Sequence, residues 1–207
     1  MEYDFGKAAK LPSWQENPID QLFIAGSEAV SPYMKKLHAT PNMITTACVV
    51  ASLLAVRSVY VADKPMFVAW AIFAYFLDCL DGHFARKFDM CTVFGDYYDH
   101  ITDWLYYGLL FYAAFCVRGF KPAYKPYAAF IYMAIGLATL GMMYHFGCQE
   151  SIYTTRSRKR DAESPTLGLF TKIFNYPDPE NTIHFSKYVG SGTYMMLIIA
   201  LIVITIK

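Results

Sequence analysis

Three long stretches of this chain carry no charged residue, and that decides the solvent in which it folds. Ala39–Val56, Pro126–Gln149 and Tyr188–Ile206 contain no Asp, Glu, Lys or Arg, although His145 stands near the end of the second. Each approaches the roughly 20 mostly apolar residues that a helix needs to cross a bilayer core. Two shorter runs, Pro65–Leu77 and Trp104–Val117, reach that length only by extending into the acidic stretch between them. The pattern predicts five membrane spans, at about 40–62, 65–85, 93–117, 125–148 and 188–206. A soluble bundle with buried core helices is the competing reading. Against it, 56% of residues are hydrophobic and only 17% charged, where a soluble chain has about a quarter charged. The same figures exclude a disordered chain, and a net charge of +1 gives no reason to expect a nucleic-acid partner.

Charge placement orients the spans. Five crossings put the N-terminus, the turn after Arg86 and the segment 149–187 on one side, with twelve of the 18 Lys and Arg residues, Lys7, Lys10, Lys35, Lys36 and Arg156 among them. Arg57, Lys64, Arg118, Lys121, Lys125 and Lys207 fall on the other. The positive-inside rule then predicts a multi-pass integral membrane protein with a cytoplasmic N-terminus. The chain divides into an amphipathic segment, 1–38, and a transmembrane domain, 39–207. Within the first, Ile19, Leu22, Phe23, Val30, Met34 and Leu37 recur at broadly helical spacings, which predicts an interfacial helix broken or kinked near Pro32. An ordinary amphipathic helix on a soluble partner would show the same pattern. Residues 1–16 lack the basic-then-apolar pattern of a cleavable signal peptide. The polar segment Gln149–Lys187 carries the basic run Arg156–Arg160, either a contact for anionic membrane lipids or a topogenic signal. Leu167–Phe174 within it reads as a short re-entrant or interfacial helix.

Acidic residues are the anomaly. The stretch Asp78-Cys-Leu-Asp-Gly-His-Phe-Ala-Arg86 is followed by Gly95-Asp-Tyr-Tyr-Asp-His-Ile-Thr-Asp103. An acid at the centre of a membrane helix costs roughly 2.5–3.5 kcal/mol on insertion scales. Asp78 and Asp81 are three apart and share a helix face; Asp99 and Asp103 are four apart, with Gly95 one turn earlier on their stripe. A short connection, about 87 to 92, makes the two helices antiparallel neighbours and lets the four carboxylates converge. Alone they would repel and hold one another's protons. Hard divalent cations relieve that repulsion, and oxygen-only ligands favour Mg²⁺ or Mn²⁺. Two such ions are the usual apparatus for displacement at phosphorus. Gly82 leaves room for a phosphate at the backbone, Gly95 permits close helix packing, and Arg86 offers a charged fork of phosphate geometry.

The pattern D-x2-D-G-x2-A-R-x8-G-x3-D-x3-D fixes eight identities across 26 residues. It resembles the signature of the CDP-alcohol phosphotransferase (phosphatidyltransferase) family, matched by Asp78, Asp81, Gly82, Ala85, Arg86, Gly95, Asp99 and Asp103 without a departure. Pro41-Asn42 resembles that family's opening segment. The resemblance implies an all-α polytopic bundle, typically of six membrane helices, that displaces CMP from a CDP-alcohol with an alcohol acceptor. It makes Asp78, Asp81 and Asp99 metal ligands and Asp103 a ligand or the general base. Asn42, Gly82, Ala85 and Arg86 would line the nucleotide and diphosphate pocket. It further implies two Mg²⁺ or Mn²⁺ ions, a lipid substrate, a cytoplasmic active site and a homodimer.

Substrate choice is expected to lean toward CDP-choline or CDP-ethanolamine with diacylglycerol. Asp96 after Gly95 and His100 after Asp99 resemble the amino-alcohol enzymes, and Trp104 stands where inositol-type synthases usually carry Arg. The short chain and Thr102-Asp103 resemble the CDP-diacylglycerol-dependent group instead. Asp96 either touches substrate or faces the cytoplasm; His100 either bonds a neighbouring element or takes part in substrate contact. Tyr144–Glu150 reads as the interfacial end of the fourth span. The sixth helix is either a short one within 164–176 or missing. Membrane prenyltransferases also use acid-rich helices but lack the D-G-x2-A-R step, and a cation channel would need no nucleotide pocket.

Overall fold

Among the described residues, five of the eight helices begin at a side-chain oxygen, and four of these have a proline in the next one or two positions. The computed structural model describes residues 8–157 and 164–207, so Lys7 and most of the basic run, Arg158 to Arg160, lie outside the described residues. The helices are α1 (Pro18–Lys36), α2 (Pro41–Tyr60), α3 (Lys64–Lys87), α4 (Val93–Phe111), α5 (Ala128–Ser157), α6 (Gly168–Ile173), α7 (Pro179–Ser186) and α8 (Ser191–Thr205). Asn17, Thr40, Asp63, Thr92 and Asp178 each accept a first-turn N–H, at 2.9 to 3.3 Å. Proline occupies the first or second position of α1, α2, α3 and α7, where its missing N–H costs nothing. Three helix ends close on left-handed residues, His38 (φ 56°), Ala62 (φ 62°) and Asp89 (φ 53°). Ala39, Asp63 and Met90 then donate back to Met34, Ser58 and Ala85 at 2.8 to 3.1 Å, which reverses the chain within a few residues.

Four helical stretches, Pro41–Tyr60, Lys64–Lys87, Pro122–Arg156 and Pro179–Thr205, are long and apolar enough to cross a bilayer. The remaining expected span is helical throughout: α4 continues as a wider π turn, Tyr112–Arg118, which ends at Gly119. Its acids and tyrosines dilute its apolar character. Along α5, Phe130, Met133, Leu137 and Leu140 are exposed, an arrangement suited to lipid rather than water. Among the described residues there is no strand, only an isolated pairing of Phe120 with Ile206.

Small residues let α2 approach α3: Ala51, Ser52, Ala55, Ala71 and Ala74 are all buried. Ile44, Cys48, Leu77, Leu80 and Phe84 complete the core at one end of this pair. A second core at the other end joins Phe67, Leu110, Ala113, Ile198 and Ile202. The two ends separate the basic residues as the charge count predicts. Lys64 donates to Val203 O and Ile206 O at 2.8 Å and Lys121 to Ile204 O at 2.5 Å, while Lys10, Arg86 and Lys187 gather with the N-terminal segment at the opposite end.

Several expectations need correction. Helix α1 is continuous through Pro32; only one backbone hydrogen bond is lost there, in its last turns. Its buried face is polar, made of Asp20, Ser27 and Ser31, whereas Leu22 and Leu37 are exposed. Tertiary partners explain this. Tyr75 Oη donates to Asp20 at 2.6 Å and Ser191 Oγ donates at 3.1 Å, while Glu28 meets His83 at 2.8 Å and also pairs with Lys87. The helix of the fourth span, α5, does not stop near Gln149 but runs on to Ser157. Glu150, fully buried, is matched there by Lys10 Nζ at 3.0 Å and Ser164 N at 2.6 Å. Within 164–176 lies α6, six residues long and so about 9 Å, too short to cross.

Candidate active site

The last turns of α3 and the first turns of α4 deliver the signature residues to one cavity of about 930 Å³. Helices α3 and α4 do not pack closely on each other as expected; α2 packs along both and ties them together. The gap between their acid-bearing faces is the cavity. Asp78, Asp99 and Asp103 each place a carboxylate oxygen within 4.8 Å of the other two. Asp81, 4% exposed, stands outside that trio and accepts a hydrogen bond from Thr45 Oγ1 of α2 at 2.6 Å.

Both glycines mark close approaches. A Cβ at Gly95 would lie 3.0 Å from Thr92 Oγ1 and 3.3 Å from Asn42 Oδ1, so the missing side chain lets α4 meet α2 at Asn42. A Cβ at Gly82 would lie 3.1 Å from Arg86 Nη1. The space above Gly82 is thus taken by the Arg86 guanidinium rather than left as open backbone. Arg86 Nε donates to Ala8 O at 2.7 Å. Asn42 and Ala85 also line the cavity.

Asp96 and His100 have partners inside the protein. Asp96 accepts from Ser164 Oγ at 2.5 Å, Thr166 Oγ1 at 2.8 Å and Thr166 N at 3.2 Å. It anchors the chain that leads into α6 and, like His100, also lines the cavity. His100 Nδ1 lies 2.8 Å from Asp96 O and 3.8 Å from an Asp99 carboxylate oxygen.

From the acids the cavity runs inward between Ala71, Ala74, Phe111, Met142, Tyr194 and Met195, an apolar channel continuous with a polar mouth. At that mouth stand groups that sequence reasoning did not assign to the site: Lys10, Glu16, Gln149 and Ser164. Lys10 and Glu16 left no signal, because a lone charge in an irregular segment resembles any solvated residue. Glu16 is 3% exposed, with Gln149 Nε2 at 3.4 Å from both carboxylate oxygens. Burial, then the nearby charge of Asp20, pushes its carboxyl up to about 7, against the opposing pull of Arg86 and Lys10.

The donor set fits a hard cation. Three carboxylates converge, and among the described residues none of them has a Lys or Arg within ion-pair distance. Oxygen ligands alone select Mg²⁺ or Mn²⁺ over zinc or copper.

The fold and site define a helical membrane bundle with an acid-lined cavity between two signature helices. The sequence model described as CDP-alcohol phosphatidyltransferase matches residues 38–206, and the chain belongs to that family. Searches of curated proteins and of solved structures returned no match. Family membership makes the chain a membrane transferase of phospholipid synthesis that works on a CDP-alcohol.

Proposed function

We propose that this protein transfers the substituted phosphate of a CDP-alcohol to an alcohol acceptor and releases CMP, with Asp78, Asp81, Asp99 and Asp103 as ligands to two Mg²⁺ or Mn²⁺ ions. The observation that carries the reading is the convergence of Asp78, Asp99 and Asp103 at the junction of the polar mouth and the apolar channel. When bound, the ions supply Lewis-acid stabilisation of the phosphoryl oxygens and of the leaving group. Asp103, the further along α4 of its two signature acids, takes the proton of the acceptor hydroxyl as that oxygen attacks the phosphorus bearing the alcohol. The bond from phosphorus to the CMP oxygen breaks, and CMP leaves toward the mouth. Arg86, above Gly82, faces the diphosphate, with Asn42 and Ala85 beside it. The apolar channel holds acyl chains, and the charge asymmetry of the bundle supports a cytoplasmic mouth. The exposed apolar face of α4, with Ile101, Trp104 and Leu105, suits lipid or the second copy of a homodimer.

CDP-choline or CDP-ethanolamine with diacylglycerol remains the first substrate reading. Asp96 and His100 both line the cavity, and both are also bonded within the protein, which leaves their motif support divided between substrate contact and structure. That observation favours keeping CDP-diacylglycerol with a soluble acceptor as the second reading. Purified protein offered both amino-alcohol donors with diacylglycerol, and CDP-diacylglycerol with inositol, serine or glycerol phosphate, should release CMP from one pairing. Release should depend on added Mg²⁺ or Mn²⁺. No release from any pairing with either ion, and no thermal stabilisation by CMP, overturns the proposal in favour of a channel or transporter.

A further inference from the structure

Residues 8–17 lie outside the stretch matched by the family model, yet they close the mouth of the cavity. Ala9, Lys10 and Glu16 all line it. Two of the contacts that hold the segment involve cations of the site. Ala8 O takes Arg86 Nε at 2.7 Å, and Lys10 Nζ meets Glu150 Oε2 at 3.0 Å. The first bond also aims Arg86. With Nε occupied, and no acceptor within hydrogen-bond distance of Nη1 or Nη2 among the described residues, the two amino groups of the fork stay available. Lys10 is likewise only partly used. An ammonium carries three donors, and Glu150 is its only hydrogen-bond partner among the described residues. Its side chain keeps 17% exposure, and the residue lines the cavity. Glu150 accepts from Ser164 N as well, so this carboxylate holds the ammonium and the chain before α6 in fixed positions.

We propose that Lys10 is a second cation, beside Arg86, for the diphosphate of the CDP-alcohol donor, delivered to the site by the N-terminal segment. The proposal rests on the reaction proposed above and adds to it a binding residue outside the signature. Two cations approaching from different elements suit a diphosphate, which carries acceptors along its length. The competing explanation is that Lys10 merely neutralises Glu150. A buried carboxylate stripped of its partner is strongly destabilising, so Lys10→Gln alone would confuse the two.

The test therefore compares Glu150→Gln with Lys10→Gln/Glu150→Gln. Both lack the buried carboxylate, and they differ only in the charge at position 10. Two quantities are read: the Kd for CDP with Mn²⁺, by thermal shift or calorimetry, and the KM for the active CDP-alcohol. Loss of one charge-assisted contact should weaken both by about 10- to 100-fold, with kcat held within about threefold and the acceptor KM unmoved. Equal Kd and KM in the two variants overturns the proposal, and so does an effect confined to the acceptor. Wild-type turnover across the substrate panel reports separately on the proposed function. The CDP titration needs no turnover, so the assignment of Lys10 is decided even where the panel fails.

Discussion

Thr45→Val tests whether the fourth carboxylate belongs to the working site. Thr45 is 3% exposed and donates from Oγ1 to Asp81 Oδ2 at 2.6 Å. No other side-chain donor reaches Asp81 among the described residues. Valine has nearly the same shape without the donor, so the substitution leaves no cavity and removes one hydrogen bond to a charged acceptor. Such a bond is worth about 1.5–3 kcal/mol. If all of it acts on the orientation of Asp81 in the reacting complex, kcat/KM falls about 10- to 150-fold. Any share lost to folding appears instead as a lower thermal midpoint, measured in the same detergent. A Mn²⁺ titration separates the roles, because a ligand released from its supporting bond raises the metal requirement as well as lowering turnover. Thr45→Ser keeps the hydroxyl and should retain most of the activity. The reasoning fails if the valine protein has wild-type turnover and metal requirement, or if serine and valine fall equally.

Four further outcomes follow from the structure. Asp103→Asn should abolish CMP release while CDP binds with Mn²⁺ within a few fold of wild type; turnover surviving in that protein removes the general-base assignment. Glu16 has its carboxyl raised from 4.5 to about 7, so its contribution is fully present below pH 4.5 and lost as pH rises through 7; at 1.36 kcal/mol per unit this is about 3 kcal/mol, and Glu16→Gln should flatten that slope in chemical denaturation between pH 5 and 8. Ala62 closes α2 at φ 62°, a conformation glycine adopts without strain, so Ala62→Gly should raise stability by about 0.5–1 kcal/mol and lift the thermal midpoint. Asp96→Asn weakens three contacts to Ser164 and Thr166, and hydrogen exchange at Thr166 N should quicken while the midpoint falls only slightly.

What the sequence made legible was whatever repeats with a period or is capped by a recognisable residue. The apolar runs, the cap-and-proline starts and the three-and-four spacing of the acids are local features, and the helices follow them closely. Helix α5 outruns its apolar stretch because Glu150, which reads as a water-facing residue, finds its partners, Lys10 and Ser164, at distant points of the chain. For the same reason the polar residues of α1 looked like its solvent side, although Asp20 meets Tyr75 of α3 and Ser191 of α8 in the interior.

The same distinction decides how the site is built. Spacing along two helices can place two acids on each, but it cannot keep the helices apart, and four carboxylates on directly packed helices would have no room for a substrate. That separation comes from α2. Its Asn42 receives α4 at Gly95, and its Thr45 holds Asp81 on α3, so one helix sets both walls of the cavity. The prediction for Thr45 and the inference for Lys10 thus share one premise. On the proposed reaction, the signature supplies the reacting carboxylates, and residues outside it, on α2 and in the N-terminal segment, set their orientation and the charge that faces them.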